Sequence, residues 1–308
     1  MAKNNLSSPP GEFENCVLVV GGSGFIGRAL CDQLSLTGLN IVATSRTPFK
    51  HTTPYQQVIL DIFNEKNRIE VLKKFKPKTV VFLAWETTHL AYWESKLNFK
   101  YMESTLKFAE ESYEFQVDKF IGVGSMSEYG FSPGSCNSER TRVNPQDLYS
   151  LSKSHTSNEL ANIAKRYESN ANWVRLFHPF GPGEKNLRLI PTLINNMAAG
   201  KDVEVLNPKH RLDFTHTTDI ARAINLIVCN DFPYIIDIGT GVATSVESMV
   251  KVLANYFNFS EYKIKFNRDK ESTERNIYVD PNSHLHTTGW RPIKILNEHL
   301  IDYASSVF

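Results

Sequence analysis

The stretch CVLVVGGSGFIGRAL, residues 16–30, limits what this chain can fold into more than any other part of it. Five apolar residues read as a short buried strand, and the spacing after Phe25 reads as a helix to about Leu36. Gly21, Gly24 and Gly27 fall at the junction. The first allows a tight turn, the second lets backbone approach a pyrophosphate, and the third lets helix lie close on strand. The helix start, with Phe25 and Ile26, then offers free N–H groups and positive partial charge to an anion. Spaced glycines mark any tight turn. It is the strand before them and the helix after them that point to a bound dinucleotide.

The rest of the chain repeats the alternation. Strand-like runs stand at NIVATS, QQVIL, KTVVFLA, KFIGVG, NWVRLF and YIIDIG, with polar–apolar helical stretches between most of them. Strands that take turns with helices form a parallel sheet covered on both faces. The expected class is therefore α/β, a Rossmann-type doubly wound parallel sheet. After Phe180 the character changes to polar stretches marked by proline or glycine, such as GPGEKNLRLIP and NPKHRLDFTH. These predict a smaller, interleaved C-terminal substrate domain over the carboxyl ends of the strands. The expected division is a flexible tail over 1–14, a dinucleotide domain over 15–180 plus about 213–240, and a substrate domain over 181–212 and 241–308.

Charge narrows the partners. With 34 Lys+Arg against 33 Asp+Glu the net charge is +1, without the basic excess that nucleic-acid binding calls for. No apolar run reaches the roughly 20 residues that span a bilayer, and the first residues lack a signal peptide's apolar centre. Cys16, Cys31, Cys136 and Cys229 are scattered, as expected of reduced thiols in a cytoplasmic protein. No metal site is read.

The end of the second strand selects the dinucleotide. A carboxylate there would favour NAD, but ATSRT places Ser45 and Arg46, a hydroxyl and a guanidinium that suit a 2′-phosphate. The reading is NADP(H), with NAD as the alternative. Asp61 and Ile62 after the third strand are placed at the adenine, although Asp61 could equally cap the next helix. Leu83 and Ala84, ending the fourth, also face the cofactor.

Ser125 ends the fifth strand, and 24 residues later (149 − 125) comes Tyr149 with Lys153 four further on. On a helix starting near Pro145 that tyrosine and lysine share one face. A phenol has a pKa of about 10, and a nearby ammonium is expected to lower it toward neutrality. Ser125 would bond the oxygen on which charge develops. A second tyrosine–lysine pair, Tyr92 and Lys96, lacks a strand-end serine before it, and reads as helix entry with aromatic packing and a solvated lysine.

In their order and spacing GGSGFIG, SMSEYG, YSLSK, RLFHPFGPGE and DFTHTTDIA resemble the extended short-chain dehydrogenase/reductase family, of the epimerase/dehydratase type. The resemblance covers about Cys16 to Trp290 and implies Tyr149 as acid/base, Lys153 on the nicotinamide ribose and Ser125 polarising a nucleotide-activated sugar. It also implies a homodimer through the helices that include 91–114 and 147–168. Met126 and Ser127 stand where family dehydratases have an acidic pair, and Ser127 and Gly183 where the C3/C5 epimerases have cysteine and histidine. What remains is reduction of the C4 ketone of a 4-keto-6-deoxy sugar, or 4-epimerisation with retained NAD. A non-catalytic NADP-sensing regulator is the remote alternative. Substrate contacts are expected from Thr87, His89, Ser127, His178, Arg188, Arg211, Arg268 and Arg275. His178 could pack as readily as bind, and Asp219 reads as a helix N-cap.

Overall fold

The computed structural model describes residues 15–48, 52–88, 91–131, 133–267 and 274–307. The expected tail and the candidates His89 and Arg268 lie outside the described residues. Five strands of the large sheet and four helices come from the first half: β1 (Cys16–Val20), α1 (Phe25–Ser35), β2 (Asn40–Ser45), β3 (Gln56–Ile59), α2 (Glu65–Phe75), β4 (Thr79–Phe82), α3 (Leu97–Glu114), β5 (Lys119–Ser125) and α4 (Leu148–Arg166). The strands Asn170–Leu176 and Ile235–Ile238 complete a seven-stranded parallel sheet beside β5. Its order is Ile235–Ile238, Asn170–Leu176, β5, β4, β1, β2, β3. Strand order reverses between β1 and β4, and such a switch point opens a crevice at the carboxyl ends of both strands.

Burial explains why these runs are strands. All five residues of β1 and all four of β4 are buried, because helices cover both faces of the sheet. On one face Leu72, Phe75, Phe108, Phe120, Leu160 and Trp173 form a core. On the other, Leu30 and Leu34 of α1 meet Ile220 and Ile224 of the helix Thr217–Cys229. Helix α4 begins at Leu148, three residues after Pro145, since Asp147 caps it by accepting the Ser150 N–H at 2.8 Å. Asn64 caps α2 through the Asn67 N–H, so Asp61 is not that helix's cap.

A second sheet of four short strands runs in the order Thr244–Ser245, Arg211–Leu212, Asn276–Val279, Gly134–Cys136. Its core gathers Phe177, Phe180, Met249, Leu253 and Leu300. The region expected to be loop-rich thus holds a sheet, and one strand of it comes from inside the span 15–180. Conversely, Leu285 and Trp290 pack under the large sheet. The two parts are more interleaved than the sequence boundaries describe.

Two acids hold this part together. Asp213 is fully buried and accepts from Thr240 N and Oγ1 (2.8 and 2.6 Å), Gly241 N (2.9 Å) and Val279 N (3.1 Å). Asp219 is not the N-cap; the His216 side chain takes that place, accepting from Thr218 N–H. The Asp219 carboxylate instead accepts from Ile293 N (2.9 Å) and pairs with His299 at 2.8 Å. Asp213→Ala would leave those buried N–H groups without acceptors and should cost about 3 kcal/mol, read as a lower urea midpoint at unchanged m-value.

Candidate active site

The glycine loop is shaped by close approach. Gly21 has φ +89°, and a Cβ on it would lie 3.2 Å from Ala84 N, so the loop and the end of β4 touch. A Cβ on Gly27 would lie 2.2 Å from Gly21 O, which only glycine avoids. The first helical bond runs from Arg28 N–H to Gly24 O (3.0 Å), so the N–H groups of Phe25, Ile26 and Gly27 point out of the helix end. This is a fit for a pyrophosphate, with Leu83 and Ala84 half-buried alongside.

The adenosine side departs in detail from expectation. The Ser45 hydroxyl is buried, accepting from Ser23 Oγ at 2.8 Å and Thr47 N at 3.3 Å, so it braces the glycine loop. Arg46 is exposed and Asp61 is exposed. Ile62 is only 3% exposed and packs in the core with Leu60 and Val71, so its side chain is not presented to a ring.

At the other end of the crevice the structure brings Ser125, Tyr149 and Lys153 together. Lys153 reaches from α4 to the Val123 carbonyl of β5 at 2.6 Å, and its ammonium lies 3.6 Å from the Trp85 ring centre. Burial pulls its pKa down to about 7, opposed by the Glu128 carboxylate. Tyr149 hydrogen-bonds Ser125. Ser125 Oγ accepts from Ser127 N (3.2 Å) and Ser127 Oγ (2.9 Å), which leaves the Ser125 proton for donation. The expected lowering of Tyr149 by lysine is not found. Burial, reinforced by Tyr92, pushes the phenol well above its ordinary range, and Lys153 lies 5.9 Å from the ring centre, held by Val123. Tyr149 is therefore a phenol, a proton donor.

Three aromatic rings stand edge-on around Tyr149: Tyr92 at 4.8 Å, Trp93 at 5.7 Å and Trp85 at 6.5 Å between centroids. Asn98 fixes the group, accepting from Trp85 Nε1 (2.8 Å) and donating to Tyr92 O (2.7 Å). Lys96 is exposed and Tyr92 lies in a 3₁₀ turn ahead of α3, as read from the sequence. Its packing on Tyr149 was not foreseen, because nothing local in a sequence reports a contact 57 residues long (149 − 92).

The expected substrate contacts divide. Ser127, Met126, Trp93, Phe131, Asp147 and Arg275 share one small pocket beside Ser125 and Tyr149. Arg188 lies 5.4 Å over the Tyr92 ring and bonds its hydroxyl. His178 packs 5.7 Å from Phe214, while among the described residues its buried Nδ1 has no partner. Burial and the charges of Arg275, His210 and Arg188 depress its pKa to about 3, so the ring is neutral. Thr87 is exposed, and its carbonyl accepts from Lys185 at 3.1 Å. Arg211 is exposed, with its guanidinium on the Ala243 carbonyl at 2.9 Å.

Sequence reasoning passed over Glu128, which is wholly buried beneath the site. The pattern Ser125-x-x-Glu128 is a capping box, and that signal could have found it. For the glycine loop, Gly24→Val and Gly27→Val separate binding from folding. A Cβ at Gly24 would lie 3.1 Å from Gly21 O, against 2.2 Å at Gly27, so valine at 24 should disturb the fold less while dinucleotide affinity falls at least about tenfold in a fluorescence titration. Gly27→Val should lower the melting temperature as well.

Residues 17–239 match the NAD dependent epimerase/dehydratase family. Escherichia coli dTDP-4-dehydro-6-deoxyglucose reductase is 22% identical, over 96% of this chain and 98% of its own. The solved Thermotoga maritima UDP-glucose 4-epimerase with UDP-glucose superposes with a TM-score of 0.84 at 20% identity, covering 95% of this chain and 98% of that one. Thermus thermophilus UDP-glucose 4-epimerase in complex with NAD gives 0.83 at 20% identity, covering 94% and 98%. With that match running from β1 through the strand Ile235–Ile238, across the glycine loop and the serine, tyrosine and lysine, the chain belongs to the NAD dependent epimerase/dehydratase family.

Proposed function

We propose that the chain reduces the C4 ketone of a nucleotide-activated 4-keto-6-deoxy sugar with NADPH. The observation that carries this reading is geometric: Tyr149 is hydrogen-bonded to Ser125 at the end of β5, with Lys153 one turn further along α4 on the Val123 carbonyl, so a proton donor stands where a carbonyl oxygen would be received. The similarity to a 4-keto-6-deoxy-sugar reductase along nearly the whole chain supports it.

Gly21, Gly24, Phe25, Ile26 and Gly27 would hold the pyrophosphate, Arg46 the 2′-phosphate, Asp61, Leu83 and Ala84 the adenosine side, and Lys153 the nicotinamide ribose. When bound, the reduced nicotinamide supplies hydride to the carbonyl carbon. Tyr149 then gives its proton to the oxygen, and the Ser125 hydroxyl donates to the same oxygen as charge develops there. The aromatic rings around Tyr149 exclude water. His178, Arg188 and Arg275 face the diphosphate, and the apolar walls Met126, Trp93 and Phe131 receive the sugar's methyl side. The small sheet and its helices make the sugar-binding part.

The same three side chains would serve a 4-epimerase that keeps NAD bound. An exposed Arg46, where NAD would be met by a carboxylate, weighs for NADPH. A second copy of the chain would cover the apolar groove of α3 and α4, lined by Phe99, Met102, Leu106 and Leu151, giving a homodimer. Among the described residues no helix is long and apolar enough to cross a membrane, and the four cysteines are unpaired, three of them buried; a cytoplasmic enzyme fits both.

Incubation with NADPH or NADH and a panel of CDP-, GDP-, dTDP- and UDP-4-keto sugars tests the reading. Cofactor oxidation with at least one of them is expected, and none with any would overturn it. Tyr149→Phe should lower kcat by about 10²–10⁴ while NADPH still binds. Arg46→Ala should weaken NADPH by about tenfold or more and leave NADH unchanged, as stopped-flow binding would show.

A further inference from the structure

We propose that Glu128 is a positioning residue of this reaction, fixing Ser125 through its backbone N–H and placing a buried negative charge against Trp173, the ring that Lys153 also faces. The inference rests on the reading of Ser125, Tyr149 and Lys153 given above. Glu128 has no exposed surface. One oxygen accepts the Ser125 N–H at 2.8 Å, and the carboxylate also takes Trp173 Nε1 (3.1 and 3.2 Å) and Arg175 Nε (2.8 Å). The approach is so close that a Cβ on Gly124 would lie 2.3 Å from Glu128 Oε1 and from Trp173 Nε1. Only glycine at 124 admits the carboxylate beneath the strand that ends in Ser125.

A carboxylate in this position exceeds what a turn cap requires. Arg175 also stacks 4.6 Å over Tyr129, whose hydroxyl donates to Asp237 at 2.8 Å. The buried set therefore holds two carboxylates and one guanidinium, and it reaches Lys153 through Trp173, whose Nε1 bonds Glu128 and whose ring lies 5.9 Å from the ammonium. What faces Lys153 is Val123 O from β5, the Trp85 ring from the segment after β4, Tyr149 from its own helix, and Trp173 from the neighbouring strand with its ring 5.9 Å away. Glu128 is the charged group that acts on it. Burial lowers the Lys153 pKa, and the Glu128 carboxylate opposes that lowering.

The test compares the wild type, Glu128→Gln and Glu128→Asp. Lys153 is titrated by NMR on isotope-labelled lysine, assigned with Lys153→Met, and kcat is followed against pH. Glu128→Gln keeps an acceptor for the Ser125 N–H but loses the charge. The Lys153 pKa should fall by about one unit, and the alkaline limb of kcat should move down with it. Glu128→Asp keeps the charge and withdraws the clamp, so Lys153 should titrate as in the wild type while kcat falls about tenfold. A folded Glu128→Gln that leaves both the titration and the pH profile unmoved would make Glu128 a turn cap only and overturn the proposal. If that variant does not fold, Glu128→Asp with wild-type turnover overturns it. A wild type that reduces no 4-keto sugar refutes the proposed reaction instead, and the Lys153 titration still decides for Glu128.

Discussion

A buried carboxylate is tolerable only where cations and N–H donors surround it, and Glu128 meets that condition at the carboxyl edge of the large sheet. Its pair with Arg175 is nearly sealed from water, the two side chains being 0% and 4% exposed. Removing either partner would leave a lone charge in the core, so the pair fixes how β5 and the strand Asn170–Leu176 end relative to each other. Ser125 ends the first of these strands, and Lys153 hangs from the second-last carbonyl before it. Tyr149, one turn earlier on α4, takes its place from the same frame. The arrangement depends on glycine at 124 as much as on the acid, since any side chain there would occupy the carboxylate's position.

The crevice has two ends that are built differently. At the glycine-loop end, backbone does the work: Gly21 turns, Gly27 lets α1 close onto it, and the helix start offers its N–H groups. At the end that holds Ser125 and Tyr149, side chains do it, and they come from both sheets. Asp213 connects these halves by holding the turn at Thr240 and Gly241, just past the strand Ile235–Ile238, against Val279 of the small sheet. The pocket beside Ser125 has Met126 and Ser127 from the segment after β5 and Arg275 and Ile277 from the small sheet's side.

The large sheet was legible because its strands are continuous apolar runs and its turns are marked by glycine. The small sheet was not, because its strands are two to four residues long and carry polar residues such as Arg211 and Asn276. No period can be read in two residues. Preferring Tyr149 and Lys153 to Tyr92 and Lys96 rests on position relative to a strand-end serine, and the structure brings that serine to Tyr149. The state of Tyr149 could not be read that way, since it is set by burial and by Tyr92, Trp93 and Trp85 packing on it from a distant loop. Likewise the sequence placed a carboxylate at Asp219 beside a helix start, where capping explains it locally. The structure uses it to hold His299, 80 residues away.

Deuterium transfer from the cofactor separates net reduction from epimerisation. The wild-type protein is mixed with NADPH carrying deuterium at the transferring position and with a 4-keto-6-deoxy nucleotide sugar. One NADP⁺ formed per sugar consumed and deuterium at C4 of the alcohol are expected, with neither event in Tyr149→Phe. Interconversion of two sugars without net cofactor oxidation, or a Tyr149→Phe variant that transfers deuterium at the wild-type rate, would contradict the proposed reduction.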